Sequence, residues 1–256
     1  MLNRTIIIGT HDSVSYSHIF SKRRKTLKLD KKSNSNKVNR VNKSNKSNKF
    51  NKSSNTKMNK NNNQMITNID QHFLFNTLNG LLALCREDSE KARKVVLELS
   101  SYLRFNFNVT DQMVFLYEEI ECIKAYLYIQ NIRFGERLNI SWDIQGDINF
   151  LIPKNSLYNL IDNAVNHGVL KKNQGGTITF IVMRDKEKVT IKIEDDGVGM
   201  TKKQIIQILK EENYGSISNS NSQFKELYNA KVEVISEVNN GTNIALHIPI
   251  ENIKCE

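Results

Sequence analysis

The chain has 256 residues, with 37 Lys+Arg, 27 Asp+Glu and a formal net charge of +10. Residues 1–63 hold 16 Lys+Arg against 2 Asp+Glu, a net of +14, and residues 64–256 hold 21 against 25, a net of −4. A basic segment therefore precedes an acidic body long enough to bury a hydrophobic core. Cys85, Cys122 and Cys255 are too few and too far apart for a disulfide framework or a closely spaced metal-ligand pair, so a reducing compartment, the cytoplasm, is expected. The longest apolar run, Leu81 to Cys85, falls far short of the roughly 20 residues that span a bilayer, and Ile6–Ile8 is too short for a signal peptide. No transmembrane segment is expected.

In chain order, Arg4–Ile8 has the composition of a strand, but nothing nearby completes a sheet. Residues 31–63 contain Asn, Lys or Ser at 27 of 33 positions, a composition that predicts disorder. From Gln64 the texture changes. Ile66, Ile69, Phe73, Leu74, Leu78, Leu81, Leu82 and Cys85 recur at helical spacing, with Asn68, His72, Asn76 and Asn79 on a separate polar stripe. A second helix runs through Val95, Val96, Leu99 and Leu103. A third spans Glu118 to Phe134 and ends at Gly135. Leu138–Ile144 alternates as a strand does. Pro153 opens a predicted helix over Lys154–His167, stopped by Gly168. Strands follow at Thr177–Met183 and Val189–Glu194, joined by a turn at Asp185–Lys188. Next come a helix at Lys202–Lys210, a polar loop, a short helix at Gln223–Asn229, and strands at Lys231–Val238 and Asn243–Pro249. The expected class is α+β, a helical segment followed by helices on one face of a mixed sheet. The expected division is 1–63, 64–137 and 138–256.

Four groups of residues carry chemistry. His72 on a polar helical stripe offers an imidazole that is partly unprotonated near neutral pH, hence a nucleophile, and Asn76 lies one turn on. The plain alternative is an exposed histidine. Asn159 and Asn163 share a helix face, Asp162 and Asn166 flank it, and His167 closes it. Amide oxygens suit Mg²⁺; a polar helix end is the plainer account. Asp195-Asp196-Gly197-Val198-Gly199-Met200 follows a strand. Its glycines let backbone approach a flat ligand, and the Asp195 carboxylate can accept a hydrogen bond from an exocyclic amine. Gly241-Thr242 enters the last strand and is by itself an ordinary turn.

Together and in this order, these groups resemble the LytS/YehU/YesM-type sensor histidine kinases over about residues 64–250. His72 to Asn79 resembles the second half of the family's histidine box. Ile152 to Gly168 resembles the asparagine box, Asp195–Met200 the first glycine box, and Gly241–Pro249 the final segment. The resemblance implies a dimerising helical hairpin bearing the phosphoacceptor, followed by a GHKL-type two-layer α/β sandwich that binds ATP. It implies that His72 accepts phosphate, that Asn163 holds Mg²⁺ with Asn159 nearby, that Asp195 recognises the adenine amine, and that Gly197, Gly199 and Thr242 shape the adenine pocket. His167 and Asn219 join the nucleotide-binding set, and Asp162 is a candidate to orient or deprotonate the nucleophile. The implied partners are ATP, a response regulator and a second copy of the chain, with no specific nucleic acid.

The chain also departs from the pattern. Asn68 and Gln71 replace the usual Gln and Pro, and Asp162 replaces Glu. The second glycine box falls on Tyr214-Gly215-Ser216-Ile217-Ser218-Asn219, of which Ile217 and Asn219 match. That leaves open a non-catalytic scaffold that binds a regulator or nucleotide. The basic segment leaves open an accessory role on anionic surfaces.

Overall fold

The computed structural model describes residues 71–107, 111–145, 148–210 and 215–253. The expectations for residues 1–63, for Asn68 and for the first helix before Gln71 lie outside them.

Helices α1 (Gln71–Glu87) and α2 (Ser89–Phe107) form a hairpin interrupted at Asp88. The Asp88 carboxylate accepts the Lys91 N–H at 3.0 Å, a side-chain cap that starts α2. Helix α3 (Leu116–Phe134) follows strand β1 (Met113–Phe115). It opens as Glu118 Oε2 accepts the Phe115 N–H at 3.0 Å, and it ends at Gly135, whose φ of 56° gives the left-handed turn that favours glycine. Among the described residues no helix is long and apolar enough to cross a membrane.

The rest is a two-layer sandwich. Strands β2 (Leu138–Ile144), β4 (Gly176–Arg184), β5 (Lys188–Asp195), β6 (Lys231–Glu237) and β7 (Gly241–Pro249) form one sheet of order β2-β4-β5-β7-β6. β2 and β4 are parallel and the other neighbours antiparallel, the mixed sheet expected. Alternation decides the faces. Ile178, Phe180, Val182, Ile244, Leu246 and Ile248 are buried, whereas Thr179, Lys192, Glu194 and His247 are only half-buried on the opposite side. Helix α4 (Ser156–Asn163) and helix α6 (Gly215–Tyr228) supply Leu157, Leu160, Ile161 and Phe224 to the same core. Each such side chain contributes roughly 1.5–3 kcal/mol through burial. Helix α5 (Lys202–Lys210) lies between β5 and α6 in sequence. The core cluster also takes in Phe73, Tyr102 and Tyr126, so the helical hairpin and the sandwich share it.

Three details depart from the sequence reading. Strands β1 and β3 (Leu151–Pro153) pair antiparallel, with Val114 opposite Ile152, and were not anticipated. The helix expected over Lys154–His167 starts at Ser156 and leaves α geometry after Asn163. It continues as a π-helical turn, Ala164–Gly168, and a 3₁₀ turn, Val169–Lys171. The helix expected at Gln223–Asn229 begins at Gly215, because tertiary contacts override weak serine and asparagine propensities. Ser218 and Ser220 are buried there, and Ser220 Oγ donates to the Ser156 carbonyl at 2.8 Å.

The start of α4 is capped from another helix. Asn155, its N-terminal flanking residue, has a φ of 64° and makes no side-chain cap. The open N–H groups are met instead by Glu119 of α3, which is 0% exposed. Its carboxylate accepts from Asn155, Leu157 and Tyr158 at 3.0, 2.7 and 3.0 Å.

Candidate functional site

A cleft of about 390 Å³ opens between the end of α4, the C-terminal end of β5, the start of β7, and helices α5 and α6. Asn163, His167, Asp195, Gly199 and Thr242 all line it, so residues from three separate stretches of sequence meet there. Leu160, Ile193, Val198, Ile208, Ile217 and Ile244 give it apolar walls. A larger groove of about 860 Å³ adjoins it across the Asp195–Thr242 seam, lined by Glu194, Ile235 and Glu237 among others. Volume alone favours the groove. Chemistry favours the smaller cleft, which gathers the polar groups of α4 against one carboxylate inside an apolar lining.

That carboxylate is held firmly. Asp195 Oδ1 accepts the Gly197 N–H at 2.8 Å, and the Thr242 backbone N–H also bonds to it. Burial pushes its pKa up to about 6, against the lowering effect of those two N–H groups, with Asp196 raising and Lys172 lowering it further. Space here is set by glycine. A side chain at Gly197 would collide with the Gly168 backbone, and one at Gly241, whose φ is 85°, with the Asp195 carbonyl. A Cβ at Gly168 would stand 2.8 Å from Asp195 Oδ1. The adjoining loop is tied on both sides. Met200 N–H donates to Ser236 Oγ at 2.8 Å, Asn239 N–H to the Val198 carbonyl at 2.7 Å, and Val198 N–H to the Gly168 carbonyl at 3.3 Å. Lys172 Nζ bonds the carbonyls of Asp196 and Asn239.

The π-helical turn matters for the opposite wall. Widening the helix after Asn163 lets His167 and Gly168 join Asn163 on the lining. The first turn of α6 borders the cleft through Gly215 and Ile217. Helix N-termini attract anions, because their N–H groups lack helical partners. A planar apolar body with an amine edge and an anionic tail matches this arrangement: amine on Asp195, anion toward Asn163 and α6.

Other candidates lie elsewhere. His72 is exposed on α1, and Asn76 half-buried one turn along. Asn159 is half-buried on α4, and Asn219 exposed on α6, both outside the cleft lining. Gly197 acts on the cleft through its bond to Asp195. Asp162 is also off the lining. Its Oδ1 accepts the Tyr126 hydroxyl at 2.6 Å and the Asn166 amide at 2.8 Å. Sequence reasoning missed Gln204 and Ile208 in the lining, and Glu119 and Tyr126 behind it. One signal was available for Glu119: a carboxylate beside Ile120 and Ile123 on an otherwise apolar helix face.

Residues 61–138 match the family model described as Histidine kinase, and residues 151–252 the one described as Histidine kinase-, DNA gyrase B-, and HSP90-like ATPase. Among curated relatives, YwpD of Bacillus subtilis (strain 168) is 36% identical over 185 residues, covering 70% of this chain and 66% of that protein. Sensor histidine kinase YpdA of Escherichia coli (strain K12) is 32% identical over 185 residues, covering 71% of this chain and 33% of that one. Sensor protein LytS of Staphylococcus haemolyticus (strain JCSC1435) is 31% identical over 195 residues, covering 73% and 33%. The chain thus spans about a third of the length of the sensor proteins it matches.

Proposed function

The chain belongs to the LytS-type sensor histidine kinases, and from that premise we propose that it is an ATP-dependent protein-histidine kinase of a two-component system. Residues 64–137 form its phosphotransfer region and residues 138–256 its nucleotide region. The observation that carries this assignment is the Asp195 carboxylate, fixed by the Gly197 N–H at the end of an apolar cleft that Asn163 and His167 also line.

The adenine of ATP enters the apolar part of the cleft, and its exocyclic amine donates to Asp195. Gly197, Gly199 and Thr242 shape that end. The phosphates extend past Asn163 and His167 toward the first turn of α6, with Asn159 and Asn219 flanking their path. Mg²⁺ accompanies the nucleotide. Asn163, on the cleft lining, offers an amide oxygen that would help hold it there. Bound there, the ion would neutralise charge that develops on the phosphates.

His72 then attacks the γ-phosphorus through an unprotonated ring nitrogen. A nitrogen–phosphorus bond forms as the bond to the bridging oxygen breaks, and ADP leaves with the electron pair. The imidazolium loses its remaining N–H proton to water, and Asn76, one turn on, orients the ring. A response-regulator aspartate takes the phosphoryl group next, and the ring nitrogen recovers its electron pair. Positioning supplies most of the rate. Gly215 borders the cleft at the start of α6, so the one glycine of the divergent second glycine box stands where backbone must approach phosphate. No observation favours the scaffold alternative.

A homodimer completes the assembly. Phe75, Leu78 and Leu82 form a stripe on α1 that is 65%, 47% and 69% exposed. A second copy covers such a stripe.

Incubation with Mg²⁺ and γ-labelled ATP tests the assignment. Acid-labile label is expected on the native chain and none on His72→Gln. Label that survives in His72→Gln, or its absence from the native chain, overturns it.

A further inference from the structure

Tyr126 is 1% exposed in the middle of α3, yet its two ends touch different helices. Its ring centroid lies 5.4 Å from that of Phe73, the residue after His72, and 5.0 Å from that of Tyr158 on α4. Its hydroxyl donates to Asp162 Oδ1 at 2.6 Å and accepts from Gln130 Nε2 at 2.8 Å. Asp162 immediately precedes Asn163, which lines the cleft. One side chain therefore contacts both the neighbour of the candidate phosphoacceptor and the neighbour of the cleft amide.

Packing alone does not call for that hydroxyl. A phenylalanine presents the same ring to Phe73 and Tyr158, and a buried hydroxyl is unfavourable unless bonded. Here it is bonded to a carboxylate on another helix, a charge-assisted and directional contact. Asn166 Nδ2 donates to the same oxygen at 2.8 Å, fixing the carboxylate from its own helix. Gln130 is 3% exposed, and its Nε2 orients the phenol oxygen.

The base for this contact is rigid. Asn131 Nδ2 of α3 donates to the Leu138 carbonyl of the sheet at 2.7 Å, and Glu119 caps the start of α4. α4 is thus pinned to α3 at its first turn by Glu119 and near its last by Tyr126. The second pin sets its rotation where Asn163 faces the cleft. A separate contact between Tyr102 and Tyr158 hydroxyls, 3.0 Å apart, joins α2 to α4.

We propose that Tyr126 is a positioning residue for the phosphoryl transfer: its ring seats the His72 helix through Phe73, while its hydroxyl seats the cleft helix through Asp162. Asp162 then serves as the anchor of this contact and not as the base that deprotonates His72. The proposal rests on the kinase assignment above.

The test uses the full chain as Tyr126→Phe, Asp162→Ala and the double variant, with Tyr128→Phe as a control on the same helix. Initial rates of acid-labile labelling give kcat and KM for ATP, and equilibrium titration with ATP gives Kd. Tyr126→Phe is expected to lower kcat about tenfold, the scale produced by a small misplacement of reacting groups. Its Kd should stay within about twofold of native, because no Tyr126 atom lines the cleft. Asp162→Ala should lower kcat similarly, and the double variant no further, since both changes remove the same Tyr126–Asp162 contact. Tyr128→Phe should match the native chain. A merely structural role would instead change Kd and kcat together, or lower the melting temperature without separating them. The proposal is overturned by an unchanged kcat in Tyr126→Phe, by losses that multiply in the double variant, or by a rise in Kd that accounts for the whole effect. If Tyr126→Phe does not fold, native kcat in Asp162→Ala overturns it alone. An unlabelled native chain sinks the kinase assignment and this proposal together, whereas a labelled native chain with normal Tyr126→Phe sinks only the latter.

Discussion

Helices α1 and α3 are nearly equal in length, 17 and 19 residues, and differ in commitment to the fold. α3 buries Leu116, Ile120, Ile123, Ala125, Leu127 and Ile129, and two of its buried polar side chains reach α4. Glu119 caps α4, and Tyr126 bonds Asp162. α1 buries only Phe73 and Thr77, and the Thr77 hydroxyl bonds its own helix at the Phe73 carbonyl, 2.7 Å away. The helix that carries the candidate nucleophile is therefore the one least tied to the sandwich. A phosphoacceptor must meet first a nucleotide and then a separate regulator, and a helix seated by one buried ring, Phe73 against Tyr102 and Tyr126, can do both. A helix pinned to α4 behind the cleft by Glu119 and Tyr126, as α3 is, cannot. Four experiments press on that difference, from the largest expected effect to the smallest.

Removing Glu119 should do most damage, because it strikes the committed helix at its joint with the cleft. Glu119→Ala leaves three backbone N–H groups of the α4 start unpaired in a buried place, a loss of about 4 kcal/mol. Urea titration should show a lower midpoint at unchanged slope. Burial raises the Glu119 pKa from 4.5 to about 7, against the lowering effect of its three N–H partners. The folded chain then holds this proton more tightly than the unfolded one. Stability from this group is fully present below pH 4.5 and declines as pH rises through about 7. Glu119→Gln should flatten that slope, and a slope that stays the same would assign it to another group.

Phe73→Ala comes next, at about 3 kcal/mol, the typical result of removing a buried ring. It should loosen α1 without moving nucleotide Kd. If Kd also rises, α1 supports the cleft as α3 does through α4, and the contrast fails. Asp195→Asn inverts the pattern, with little change in melting but an ATP Kd raised about tenfold or more, as when a charged hydrogen bond is lost. With the native carboxyl near pKa 6, protonation competes with the adenine amine. Native Kd should therefore rise as pH falls through about 6, with Asp195→Asn showing less of that dependence.

Much of this contrast could be read from sequence, and the rest could not for definite reasons. The run Ile120, Ile123, Leu127 declares the α3 helix, and the alternation in Leu138–Ile144 declares β2, because their periods extend over enough residues. Strands β1 and β3 have three residues each, too few to show a period. Asp195 and Gly199 stand out because glycines just after a strand signal a close approach, whereas Thr242 stands out only through the family resemblance. Asp162 and Asn163 are neighbours in sequence, yet a helix turns about 100° per residue, so one faces α3 and the other the cleft. Which of them reads as functional depends on what packs against each face, and no helical wheel contains that. The π-helical turn at Ala164–Gly168 has the same origin: His167 reads as the close of a helix, while its place on the cleft comes from a local widening.

The smallest expected effect falls on the outer face of α1, and it tests the contrast most sharply. Leu82 is 69% exposed and Phe73 4%, although both are large apolar residues of one helix. Leu82→Glu should change the stability of a single chain by less than about 0.5 kcal/mol, as surface changes do. If a second copy covers the stripe of Phe75, Leu78 and Leu82, the same change places a charge in an apolar interface, and sedimentation should show dimer giving way to monomer. Kd for ATP should not move, since no residue of α1 lines the cleft. A dimer that persists in Leu82→Glu and in Leu78→Glu would mean that α1 pairs through some other face, or that the stripe meets a partner of another kind. An altered Kd would mean that the outer face of α1 reaches the nucleotide region after all. Either result would remove the reason for setting α1 apart from α3.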